Sequence, residues 1–298
     1  MKDIMQQSQQ NINLVGKLLD ATFSTGKMSD GRSYERANVT IRVTQSYGGR
    51  EETSEIPVAL FASEYTSSGA VNPAWKSIQD LKQMKTVQNF GLDSADTVRL
   101  TGVSLRENAF VTKQGTLIDS WQLGASFANV TKMSDVASFI LDIFIMDMRS
   151  EEDRDGDTTG RLIVKGGLVQ YNGKLDVVEF IVESPDSVDY IERNWNPNDT
   201  VTIKGRIRVT SVEENTSSNN NSWGEDVPDT TTRFVRELII TKGDDEGKEE
   251  EFAYDPMEIK KAFNVRKANI EQLQINAKNN ASKAAAQPTA SASKYSWE

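Results

Sequence analysis

Basic and aromatic side chains recur together in a few short stretches of this chain. The segment T-G-K-M-S-D-G-R-S-Y-E-R (25–36) carries Lys27, Arg32, Tyr34 and Arg36. Arg42 follows, then Tyr47 and Arg50 around a Gly-Gly pair, then Phe61. R-E-N-A-F-V-T-K-Q-G (106–115) adds Arg106, Phe110 and Lys113. Further on, Lys204, Arg206 and Arg208 alternate with apolar residues or glycine. Cations of this kind neutralise phosphates, and exposed rings stack on unpaired bases at about 1–3 kcal/mol per base. A single-stranded nucleic acid offers both groups. Each residue taken singly has a plainer reading as a surface cation or a core ring.

Other chemistries are poorly supplied. The 298 residues include no cysteine and no histidine. That excludes a Cys/His zinc site, a Ser-His-Asp or Cys-His nucleophile pair and any disulfide. The acidic run E-E-D-R-D-G-D (151–157) fails as a calcium loop. Counting from Asp153, the sixth residue is Thr158 and the twelfth Val164, where glycine and glutamate are needed. A hairpin turn at Asp155-Gly156 is the simpler reading. No phosphate-loop motif occurs, and Gly166-Gly167 stands outside such a context. Carboxylates holding two metal ions, as in a nuclease, form no recognisable set. The expectation is a non-enzyme with no catalytic residues, no cofactor and no metal.

Net charge is −10, but it is unevenly spread. Residues 1–132 carry +1, residues 133–251 carry −14 and residues 252–298 carry +3. The acid lies in 151–157, 225–229 and 244–251, which read as solvated loops. A groove that follows phosphates needs local positive potential rather than a basic whole protein. The polar start M-K-D-I-M-Q-Q-S-Q-Q lacks a signal-peptide core, and no apolar run reaches a membrane span. No membrane partner and a cytoplasmic location are expected.

Short strands separated by turn signals must position these residues. Asn11–Phe23 reads as a strand or a short helix. Asn38–Thr44 alternates, with Val39, Ile41 and Val43 on one face. Tyr47-Gly48-Gly49-Arg50 is a hairpin tip, and the return strand runs from about Ser54 to Ser63. Asn72-Pro73 opens a helix with Trp75, Ile78, Leu81 and Met84 at helical spacing. Strands at Thr97–Arg106 and Leu117–Val130 complete the first set. The second half repeats the order: strands at Ser138–Met148, Leu162–Val169 and Val177–Glu183, a helix at Ser187–Asn194, then strands at Thr200–Val209 and Thr231–Thr241. Asp96-Thr97-Val98-Arg99-Leu100-Thr101-Gly102 also matches Asp199-Thr200-Val201-Thr202-Ile203-Lys204-Gly205 in the same slot. Together these features point to a duplicated domain.

Three strands, a helix and two strands make the plan of the OB-fold, a five-stranded Greek-key barrel. The fold class expected is mainly β, with two tandem OB barrels. A β-sandwich and one large mixed β domain are the competing arrangements. Boundaries fall at 1–132 for the first barrel, 133–251 for the acidic second, 252–278 for a C-terminal helix and 279–298 for a disordered tail. Such barrels bind through strands two and three and the loops joining strands 1–2 and 4–5. All the first-half cations and rings named above fall there. Phe61 has opposite parity to Val58 and Leu60 and should face outward. Lys204, Arg206 and Arg208 share the outer face of strand four in the second barrel, where they meet a phosphate backbone or pair with nearby acids. Trp195 is expected to plug the end of that barrel. The tail ends in Tyr295 and Trp297, a candidate docking peptide for a partner protein or an inert end.

The stretches E-E-D-R-D-G-D-T-T-G-R-L-I-V-K-G-G-L-V-Q-Y-N-G-K, V-E-F-I-V-E, N-D-T-V-T-I-K-G-R-I, R-F-V-R-E-L-I-I-T-K-G and A-Y-D-P-M-E-I-K-K-A come in this order. The set resembles bacteriophage single-stranded DNA-binding proteins of the OB-fold type, best over residues 136–275 and more loosely in the first barrel. The resemblance implies a protein that coats single-stranded DNA in phage replication or recombination, in the host bacterial cytoplasm, with a replication or recombination protein as a partner through the tail. It carries no contact residues across. The acidic second barrel is left to bind weakly, limit non-specific sticking or contact a partner. The rival reading is a virion structural or assembly protein whose barrels make protein contacts.

Overall fold

A computed structural model describes residues 5–112, 116–153, 155–216 and 229–286, with side chains described outside 212–216, 229–233 and 279–286. The first half forms β1 (Gln10–Lys27), β2 (Ser33–Tyr47) and β3 (Arg50–Ser63). Helices α1 (Pro73–Leu81) and α2 (Val87–Phe90) follow. Then come β4 (Thr97–Thr101), β5 (Ser104–Val111), β6 (Leu117–Ala125) and β7 (Phe127–Val130). β4 and β5 are one strand broken at Gly102, and β6 and β7 one strand broken at Ser126. Gly102 has φ +62°, and a Cβ there would lie 2.8 Å from the Ser126 hydroxyl oxygen. Two facing breaks let both strands bend around the barrel together.

The pairings close a ring. β1 pairs with β2, and β2 with β3, all antiparallel; β3 pairs with β6 in parallel; β5 pairs with β6 and β4 with β7; β4 returns to β1. Alternation builds the inside: Ala37, Val39, Ile41 and Val43 of β2 and Ile56, Val58 and Leu60 of β3 are buried. Asn72 caps α1 by accepting a hydrogen bond from the Ala74 amide at 3.0 Å. Ile78 and Leu81 of that helix enter the core.

The second half repeats the ring with β8 (Val136–Glu152), β9 (Thr158–Val169), β10 (Leu175–Val182), α3 (Pro185–Asn194), β11 (Thr200–Thr216) and β12 (Asp229–Gly243). β8, β9 and β10 run antiparallel in turn, β10 pairs with β12 in parallel, and β11 pairs with both β12 and β8. Both halves therefore have the OB order, and the chain is a mainly β protein of two tandem OB barrels. A sandwich of two open sheets is incompatible with these closed rings. The matching heptapeptides sit alike: Asp96 accepts from the Lys85 amide and Asp199 from the Asn196 amide, both at 2.7 Å, where the chain enters strand four. Trp195 is buried, and its indole N–H donates to the Asp244 carbonyl at 2.9 Å.

One feature departs from two independent barrels. The segment Asn11–Phe23, ambiguous in sequence, is wholly strand, and its beginning pairs antiparallel with β8 from Gln10↔Leu141 to Val15↔Val136. β1 thus belongs to the first ring and is stitched to the second. One buried apolar cluster runs through both barrels. Helix α4 (Pro256–Ala286) extends past the expected end at Lys278. Its start packs Ile259, Ala262 and Phe263 on Phe144, Val169, Leu175 and Val177. No helix among the described residues is long and apolar enough to cross a membrane.

Candidate nucleic-acid interface

The open face of the first barrel is set by strand parity. With Val39 and Ile41 inside, Tyr34, Arg36 and Arg42 of β2 point outward, as do Phe61 and Glu55 of β3. The register places Arg36 opposite Phe61 and Arg42 opposite Glu55. Tyr34 and Phe61 meet as a tilted pair, ring centroids 5.1 Å apart. Phe61 is 50% exposed, so one large ring is offered to solvent beside another.

Gly26 supports this pair. The β1–β2 register puts it opposite Tyr34, and a Cβ there would come within 2.5 Å of the Tyr34 ring and hydroxyl. Glycine thus lets the ring lie flat on β1. Gly26→Ala is expected to push the ring outward while changing the melting temperature little, because the obstructing atoms end a movable side chain. If the platform binds bases, affinity for a thymidine oligonucleotide should fall about fivefold, the lower end of one stacked base. Anisotropy and a thermal scan on the same protein check both halves of this expectation.

Three cations border the rings. Arg36 and Lys27 are exposed and make no ion pair among the described residues. Arg32 is held on the rim: its Nε donates to Asp30 at 2.8 Å and its Nη1 to the Tyr65 carbonyl at 3.3 Å. Its side-chain hydrogen bond holds the Asp30 carboxyl below the usual carboxylate range. Tyr65 is 42% exposed beside this rim. Sequence reading missed it because it lies just beyond the end of strand three; an aromatic two residues past an outward Ser63 was the available signal. Arg42 is partly neutralised by Glu55 at 2.6 Å.

The remaining expected residues separate from this group. Phe110 is 45% exposed, but it pairs with Ile118 on the β5–β6 hairpin. Because β3 and β6 are parallel with Val58 opposite Leu123, Phe110 lies about 26 Å from Phe61 along the strand direction. Arg50 is exposed at that far end, and Arg106, also exposed, pairs with Gln122 level with Pro57, about 13 Å short of Phe61 along the strands. Lys113, Tyr295 and Trp297 lie outside the described residues.

Tyr47, Arg206 and Arg208 require a correction. The Arg206 guanidinium lies 4.3 Å from the centre of the Tyr47 ring. The Tyr47 hydroxyl donates to Gln45, which also accepts from the Ala137 amide of β8. Burial raises the Tyr47 pKa above its usual value. Arg206 pairs with Glu52 at 2.5 Å and Glu183 at 2.9 Å, and Arg208 pairs with Glu183 at 2.5 Å and with Glu237. Arg161 joins through Glu237 at 2.6 Å and Glu151 at 3.3 Å. These residues join the barrels instead of facing a strand, because the outer side of β11 lies against β3 of the first barrel. Only Lys204 of that row is exposed.

On the second barrel the register matches Arg36 with Arg161, which is drawn into the joint, and a different part of the outer surface, at the β9–β10 hairpin end, is covered. Phe144, Val169, Leu175 and Val177 lie under α4. Arg266 of α4 then reaches Glu107 at 2.6 Å and Asp119 at 3.0 Å on the β5–β6 hairpin. Among the described residues no group of three or more carboxylates is placed to hold a metal ion.

Fold and surface together define a tandem OB-fold protein with its aromatic face open on the first barrel. More particularly, the chain belongs to the YorF family, whose model matches residues 9–276. No curated protein matches it in sequence. Among solved structures, it is similar to a deletion mutant of the single-stranded DNA binding protein from Thermus aquaticus, with TM-score 0.48 and 14% identity over 84% of this chain and 98% of that one. The wild-type protein from the same organism gives TM-score 0.46 and 13% identity over the same shares.

Proposed function

We propose that this protein binds single-stranded DNA on the first barrel without catalysing a reaction, and that it acts in phage DNA replication or recombination in the bacterial cytoplasm. The observation that carries the reading is the Tyr34–Phe61 ring pair, open to solvent with Arg36 directly opposite Phe61. The rings supply stacking faces that tolerate any base, and Lys27, Arg32 and Arg36 supply charge for the phosphates between them. The phage context rests on the ordered sequence resemblance. In this reading the second barrel is a scaffold: its β9–β10 hairpin end is covered by α4, Arg161 at the place of Arg36 is held by Glu151 and Glu237, and its inward-turned arginines hold the first barrel in place.

Anisotropy of a labelled thymidine oligonucleotide at several salt concentrations tests the proposal. Three phosphate contacts predict a log–log slope of about −2, since each releases roughly 0.7 counterion on a single strand. Duplex of the same length should bind more weakly, because its bases are not free to stack. Absence of binding at low salt would reject the reading and favour a virion assembly protein whose barrels contact other proteins.

A further inference from the structure

We propose that the cleft between the two barrels is a second binding site, one that takes a nucleotide through its phosphate, held by Arg236 and Lys165 beside Trp121. The cleft has a volume of about 360 Å³ and lies between β6 of the first barrel and β9, β10 and β12 of the second. Its charges do not balance internally. Its three carboxylates already have cationic partners elsewhere: Asp119 meets Arg266 at 3.0 Å, Glu179 meets Arg149 at 2.9 Å, and Glu237 meets Arg161 and Arg208. Its two cations have none among the described residues.

Arg236 is the sharper case. Its guanidinium lies 4.5 Å from the centre of the Trp121 ring, which fixes the plane of the fork. Its Nε is buried and makes no hydrogen bond. Burial depresses its pKa, with no carboxylate to oppose the effect. A half-buried cation without an anion is destabilising, and a phosphate would supply both the charge and the acceptors. Phosphate alone fills little of the cleft. Val177 and Ile181, on the outer side of β10, line part of the rest and suit the apolar face of a sugar. The phosphate comes either from a free mononucleotide or from one unit of a strand.

The test uses the full chain carrying Tyr34→Ala and Phe61→Ala, so the outcome is independent of the ring platform. Calorimetric titrations with thymidine monophosphate and with a thymidine oligonucleotide, at constant ionic strength, separate the two sources. Saturable binding of the mononucleotide identifies a free ligand; binding of the oligonucleotide alone identifies a strand. Either should weaken roughly tenfold or more with Arg236→Met, and also with Lys165→Met. Without ligand, Arg236→Met should melt at a higher temperature than its parent, since it removes an unpaired charge. Binding of neither ligand, or binding unchanged by both substitutions, would overturn the proposal.

Discussion

Replacing Tyr34 and Phe61 together by alanine is expected to weaken binding of a thymidine oligonucleotide by about 3 kcal/mol, or roughly two orders of magnitude. Each ring offers a face to one base, and the two are close enough to hold neighbouring bases. The fold should tolerate the change. Phe61 is on the outer side of β3, and its side chain contributes to no buried cluster. Tyr34 rests on Gly26, so its loss leaves open surface and no internal cavity. Anisotropy reads the affinity, and a melting curve within a few degrees of the parent shows that folding is intact. Phe61→Leu separates stacking from simple apolar contact: leucine keeps bulk but lacks a planar face, so it should recover little. Unchanged affinity in the double variant would remove the ring pair from the interface.

The second large effect concerns stability. Glu237→Ala is expected to cost about 3 kcal/mol, because it leaves Arg161 and Arg208 with fewer acceptors at a mostly buried joint. The pH dependence follows from the same group. Burial pushes the Glu237 carboxyl up, but hydrogen bonds and charge from Arg161 and Arg208 outweigh it and hold the pKa below the usual 4.5. A carboxyl depressed in the folded state stabilises fully above its unfolded pKa. That contribution is lost as pH falls through the folded value. The urea midpoint should therefore be flat near neutrality and drop below about pH 4.5, with a shallower drop in Glu237→Gln. An equally steep acid limb in Glu237→Gln would assign the sensitivity to other carboxylates.

The alternation of Val39, Ile41 and Val43, and of Val201, Ile203, Ile207 and Val209, is enough to place strands and their inner faces, because burial on one side of a barrel repeats every second residue. The repeated Asp-Thr-Val heptapeptide marks the fourth strand of each barrel for a similar local reason. Parity also indicates that Phe61 faces out. It does not reveal what stands opposite an outward residue. Arg206 and Arg208 alternate correctly, yet Glu52, which helps to bind them, is 154 residues away from Arg206. Tyr47 looked like a hairpin-tip ring and is half-buried for the same reason. The cover over the second barrel was equally hidden, since Ile259 and Phe263 mark apolar positions in the C-terminal helix without saying which surface they meet. The clustering of Tyr34 with Phe61 needed the strand register, which sequence leaves open by a residue or two.

The stitch between β1 and β8 has a consequence for how the chain is made. Residues 10–15 emerge from the ribosome early, but Val136, the partner of Val15, is synthesised 121 residues later. At about 5–20 residues per second, that edge waits roughly 6–24 s for its neighbour. Meanwhile the first ring can close through β2 and β4, leaving the start of β1 as a bare backbone ladder open to other nascent chains. Yield in a cell should therefore respond to translation speed and to chaperones that mask strand edges, even in variants whose finished fold is unaffected.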